Sequence, residues 1–114
     1  MNAGDVRANT FLNWPMLAHG TEMMRIASIL AVERDIKLCN PVHDALLIEA
    51  RSDQIDSEVV RLKECMSEAS QAFLGAGKVC RIDAVIIRHP VCCMDEHGHQ
   101  MWDQIINLIE EIQR

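Results

Sequence analysis

The stretch from residue 36 to residue 50 constrains the fold of this chain more than any other. Two short apolar runs, 36–42 and 45–48, flank the dipeptide His43-Asp44. Runs of this kind with a two-residue gap predict an antiparallel β-hairpin. Two-residue turns favour Asn-Gly or Gly-containing pairs, because one or both central residues take positive φ, so His43-Asp44 is an awkward choice for a plain turn. Strained or polar tips between buried strands are where function is often placed, since a rigid hairpin holds one carboxylate at a fixed height above a sheet. The plainer reading is ordinary turn chemistry, in which Asp is a common turn former and His a tolerated neighbour.

Helical spacing flanks the hairpin. Met16, Gly20, Met23, Met24, Ala27, Leu30 and Ala31 predict a helix over 14–34, with Asn13 as N-cap and Pro15 in the first turn. After Ser52 and Asp53, either of which suits a cap, Ile55, Val59, Leu62, Met66, Ala69 and Phe73 repeat in steps of three and four up to Gly75 and Gly77. Cys80, Ile82, Ala84 and Ile86 then make one face of a third strand over 79–88, which Pro90 ends. An irregular stretch over 91–99 leads to a last amphipathic helix bearing Met101, Trp102, Ile105, Leu108, Ile109 and Ile112, with Glu110 and Glu111 on its solvated side. The order αββαβα predicts an α+β fold, a small antiparallel sheet made of the hairpin and a third strand, packed mainly on one face against three helices. The methionines at 16, 23 and 24 are expected as gap-filling core rather than a partner groove. Trp14 and Trp102 either anchor packing or mark a contact surface.

At 114 residues, 49% hydrophobic and 25% charged, the chain has the size and composition of one globular domain, 1–114, in which 1–10 is expected to be flexible. No apolar stretch approaches the roughly 20 residues of a membrane span, and residues 1–10 hold no apolar targeting core, so a cytoplasmic protein without membrane contact is expected. The net charge of −6 works against free-standing nucleic-acid binding, which draws on Lys and Arg to neutralise phosphates; any DNA contact is local or shared with other protein. Five cysteines with no CxxC pair suggest reduced thiols, and Cys39, Cys65 and Cys80 fall within apolar patterns as small core residues. Cys92, Cys93, His97 and His99 bring four candidate ligands within eight residues, but structural zinc sites space theirs as C-x₂₋₄-C and H-x₃₋₅-H, so a connecting loop is favoured over zinc.

Asn13-Trp14-Pro15-Met16, followed about thirty residues later by Pro41-Val42-His43-Asp44-Ala45-Leu46-Leu47-Ile48-Glu49, resembles the C-terminal palm region of family A DNA polymerases, the bacterial DNA polymerase I-like enzymes. In that family a helix beginning near Asn-x-Pro-Met precedes a hairpin called motif C, usually written His-Asp-Glu. The resemblance continues through a helix and a returning strand to Gly98 and Trp102-Asp103-Gln104, and spans residues 9–104.

The resemblance implies DNA-templated nucleotidyl transfer with two Mg²⁺ ions, one favouring attack by the primer 3′-hydroxyl and both stabilising charge on the transferring phosphoryl group. Asp44 would be one of the metal-binding carboxylates, and with it His43 a catalytic residue beside the primer terminus. Asn13 and His43 would contact nucleic acid, and the partners would be a DNA primer-template and dNTP. Three positions depart from the family: Ala45 stands where an acid usually follows Asp, Leu17 where Gln usually follows Asn-x-Pro-Met, and Asn9 where Arg is common. The last two changes delete hydrogen-bond donors that would face nucleic acid. The palm's first metal-binding aspartate, the fingers helix with its Lys and Tyr, and the thumb would all lie upstream of residue 1. Because one carboxylate cannot hold two Mg²⁺ ions, an upstream polymerase portion would have to complete the site, and the isolated chain is expected to be inactive. The alternative is a catalytically inactive, stand-alone polymerase-derived module acting in protein interaction, with a homodimer covering its apolar surface.

Overall fold

The computed structural model describes residues 8–93 and 98–113, with side chains from residue 11. Its elements run α1 (Ala8–Glu33), β1 (Leu38–Val42), β2 (Ala45–Ile48), α2 (Ile55–Leu74) and α3 (Gly98–Ile112). The fold is α+β, with three helices and a two-stranded antiparallel sheet among the described residues. The chain forms two compact units, Met1–Ala84 and Val85–Arg114.

In the first unit α1 starts earlier than the spacing predicts. Asn13 lies inside the helix and does not cap it, and residues 8–10, expected to be flexible, are already helical; residues 1–7 lie outside the described part. Pro15 is therefore interior, where it lacks the N–H that would bond the Phe11 carbonyl; the helix runs through it. Apolar side chains surround this early part, so they carry little information about where the helix begins: Phe11, Trp14 and Met16 are all exposed. A one-sided pattern sets in only later, with Met23 and Met24 half-buried and Ala27 and Ala31 buried.

The far end of α1 is closed by its backbone. Asp35 takes φ +56°, its N–H bonds the Val32 carbonyl at 3.1 Å, and the Ile36 N–H bonds the Ala31 carbonyl at 2.9 Å. That pair of bonds is a Schellman motif, with Asp35 at the position glycine usually holds. The motif's apolar contact is present too, since Ile36 is buried with Ala31 and packs with Leu30. From α2, the Arg61 guanidinium donates to the Arg34 carbonyl, satisfying another of the last carbonyls of α1.

α2 packs along α1 and keeps its three-and-four spacing. Its N-cap is Gln54, so neither Ser52 nor Asp53 fills that role. No side chain caps the end; the Gln54 carbonyl instead accepts from the Glu58 N–H at 3.0 Å and the Ser57 hydroxyl at 2.7 Å. Asp53 is engaged by Arg51 at 3.2 Å, which removes it from cap duty. Gly75, with φ +90°, ends the helix as predicted.

The core is small: Ala27, Ala31, Ile36, Leu62, Cys65 and Ala69, with Ser70 beside them. Most are one- or two-atom side chains, so Leu62 and Ile36 carry most of the apolar area removed from water. His19 and Phe73 add an edge-on ring contact between the helices, centroids 5.8 Å apart. Among the cysteines assigned to the core, only Cys65 is buried; Cys39 and Cys80 are exposed.

The third strand expected over 79–88 is absent: these residues carry no ladder, and Val79, Val85, Ile86 and Ile87 are exposed. Alternating apolar residues suit a pleated surface but cannot supply the neighbouring backbone a strand must pair with. In the second unit α3 begins at Gly98 and continues to Ile112. No helix among the described residues is long and apolar enough to cross a membrane.

Candidate functional site

The hairpin is built as its sequence implies. Val42 pairs with Ala45, so His43 and Asp44 make up the whole turn, and His43 takes φ +50° while Asp44 does not adopt positive φ. Positive φ at the first turn residue alone is the demand of a type II′ turn, ordinarily met by glycine. Both turn residues are exposed. Behind them the pairs Pro41–Leu46 and Asn40–Leu47 follow, and then Leu38–Ile48, with Cys39 as an extra residue. Leu46 and Ile48 are half-buried and pack on the Ala31–Ile36–Leu62–Cys65 cluster, whereas Ala45 and Leu47 point outward and are exposed. The tip thus stands on a strand pair seated on α1, and its placement relative to that core is set by the strand pleat.

Asn13 lies on the exposed early part of α1, together with Leu17. Of the predicted residues, the structure brings His43 and Asp44 together as neighbours on one turn. Ala45, which stands where an acid would follow, opens β2 opposite Val42.

Mg²⁺ takes hard oxygen ligands in octahedral geometry. Asp44 suits it as one ligand, but among the described residues no three His, Cys, Asp or Glu side chains come together where they could hold a metal ion. Among the described residues the tip therefore offers one carboxylate and no metal-holding group. Cys92, Cys93 and His99 are exposed, the two thiols in a stretch without helix or strand, and His97 lies outside the described residues.

At the opposite end of the hairpin from the tip, a cavity of about 340 Å³ is lined by Asp35, Lys37, Glu49, Ala50, Arg51, Gln54 and Glu58. Its charges are largely committed to one another and to neighbours: Lys37 to Glu49 at 3.2 Å, Arg51 to Asp53 at 3.2 Å, and Glu58 to Arg61 at 2.6 Å. In the sequence this cavity is marked by nothing more than the density of charged residues just outside the two strands. Nearby, Arg34 bonds Glu68 at 2.6 Å and reaches Cys65 Sγ at 3.6 Å, and the hydrogen bond to Glu68 holds the Arg34 guanidinium above its ordinary pKa.

No protein-family model, curated protein or solved structure matches the chain.

Proposed function

We propose that this chain is a polymerase palm-type module that supplies the His43-Asp44 tip to DNA-templated nucleotidyl transfer when an upstream polymerase portion completes it. The observation that carries this reading is the hairpin tip. A two-residue turn with a non-glycine residue at positive φ keeps His43 where glycine would be easier, and presents the adjacent carboxylate in the open. The motif resemblance gives that pair its roles: Asp44 as one magnesium ligand, His43 beside the primer terminus and Asn13 near the paired strands. Magnesium would supply charge stabilisation on the phosphoryl group, and this chain's part is to hold one carboxylate at fixed height. The need for completion is supported by the single carboxylate at the tip and by a strand-like sequence over 79–88 that pairs with no strand among the described residues.

Primer extension tests it. The chain is mixed with a separately supplied upstream polymerase portion, primer-template, dNTP and Mg²⁺, and wild type is compared with Asp44→Ala. Extension that Asp44→Ala abolishes is expected; extension at an unchanged rate would remove the metal role of Asp44.

A second reading is favoured by a different observation. Large apolar side chains lie exposed on both units, Phe11, Leu12, Trp14, Met16 and Leu17 on α1 and Met101, Trp102 and Leu108 on α3. Large apolar side chains left exposed in such number on one helix mark contact with other protein. On this reading the module is non-catalytic and acts by association, including with itself. Absence of extension, together with absence of DNA binding at low salt, would favour it over the first.

A further inference from the structure

The residues of α3 themselves indicate what covers its apolar face. Met101, Ile105, Leu108 and Ile112 follow one another in steps of four, three and four, the spacing of a coiled-coil seam, and all four are exposed. Ile106 alone among the apolar side chains of α3 is not exposed, and it lies on a different side of the helix. The seam is therefore not the side of α3 that is already covered.

Residue types along the seam favour a particular partner. Ile105 and Ile112 take the a positions and Met101 and Leu108 the d positions. β-branched residues at a with Leu at d favour two parallel strands. The acids Asp103 and Glu110 fall at f, away from such a seam, and the flanking e and g positions hold Trp102, Gln104, Ile109 and Glu111. In a parallel, in-register pair each g residue faces the following e residue of the other helix, so Gln104 meets Ile109 of the second copy and no acid meets an acid. A second copy of this chain thus fits the apolar pattern without setting one acid against another along the seam.

We propose that α3 is a homodimerisation seam on which two copies pair in parallel. This deepens the interaction-module reading and rests on it. The seam with Trp102 and Ile109 is a single helix stripe, smaller than the about 800 Å² per partner of a standard interface, so the association is expected to be at the weak end.

Sedimentation of the full chain between about 1 and 100 μM is expected to show monomer passing to dimer. Leu108→Glu is expected to keep the chain monomeric across that range with an unchanged far-UV spectrum, because Leu108 is exposed and its loss leaves the fold alone. Asn107→Glu, one position along and off the seam, is expected to dimerise like wild type. Orientation is read by cross-linking after Cys39, Cys80, Cys92 and Cys93 are changed to Ser. Met101→Cys, at one end of the seam, then joins two copies under mild oxidation, whereas in an antiparallel pair it would face Ile112 of the second copy and leave the two thiols about 16 Å apart along the axis. Asn107→Cys does not join them. A dimer in which Met101→Cys fails to cross-link overturns the parallel orientation, and equal cross-linking at both positions overturns the seam. A dimer that survives Leu108→Glu overturns the seam while leaving the interaction-module reading standing. A wild-type chain still monomeric at about 100 μM overturns the homodimer itself.

Discussion

Asp35 is the residue at which the structure makes its sharpest energetic claim. It stands left-handed, φ +56°, one residue past the last turn of α1, where the Schellman bonds require that conformation. A left-handed non-glycine residue costs about 1–2 kcal/mol, less for Asp, whose short side chain bonds locally. Glycine removes that cost but adds about 0.5–1 kcal/mol of unfolded-chain entropy. Charge contributes separately. A carboxylate beside the negative end of a helix is unfavourable by about 0.3–1 kcal/mol, and Gly or Asn relieves it equally. Asp35→Gly should therefore stabilise the first unit by about 0.5–1 kcal/mol and Asp35→Asn by about 0.5, while Asp35→Ala, which keeps the strain and loses the local bonding, should be neutral or destabilising by about 0.5. Urea unfolding followed by far-UV circular dichroism would show these as midpoint shifts of about half a molar, given a slope near 1–2 kcal/mol per molar. If Asp35→Ala proved as stable as Asp35→Gly, position 35 would not be held left-handed and the Schellman closure of α1 would be wrong.

The same logic applied to the hairpin predicts that His43→Gly stabilises the turn by up to about 1 kcal/mol, measured by urea unfolding, while abolishing the ring proposed to sit beside the primer terminus. Leu62→Ala removes the largest side chain that α2 contributes to the core and should cost about 2–4 kcal/mol, enough to leave the first unit partly unfolded at 37 °C by thermal scan. Arg61→Met keeps the aliphatic stem but strips the hydrogen bond to the Arg34 carbonyl, and should cost about 1–2 kcal/mol in urea. The hydrogen bond to Glu68 raises the Arg34 guanidinium pKa, so with respect to Arg34 the contribution is complete below the ordinary guanidinium value and is lost as pH rises through the raised one. A thermal scan of Glu68→Gln against wild type should accordingly show a difference that stays constant between pH 7 and pH 9.

What could be read in advance divides by the range of the forces involved. The hairpin and the body of α2 follow from local signals: a two-residue gap between apolar runs, and steps of three and four of which Leu62 and Ala69 are buried and Ile55, Val59 and Met66 half-buried. α1 starts before Asn13 and Pro15 because the start signature they carry is not respected by the apolar residues on either side of it. It ends one residue earlier than the spacing predicts, since the closure depends on Asp35 adopting a conformation for which only glycine is a clear sign. The missing third strand is the most instructive case: the alternation from Cys80 to Ile86 states a preference, but pairing is a property of two segments and none of the described residues offers the second. For the candidate site, the composition of the turn was legible and so was its conformational oddity. How many ligands stand around Asp44 was not, because that is decided by chain neighbours in space.

The extra residue at Cys39 has a consequence of parity. Strand side chains alternate with a period of two, so Leu38 and Pro41, three apart, would normally face opposite sides. The bulge absorbs one count and lets both oppose Ile48 and Leu46, the half-buried residues of β2. Loss of one residue here would restore strict alternation: Leu38, Asn40, Pro41 and Val42 would face Ile48, Leu47, Leu46 and Ala45 as they do now, and the turn would keep its aim. The bulge is thus a spare count in β1, a place where the strand can be shortened by one residue without re-aiming Asp44.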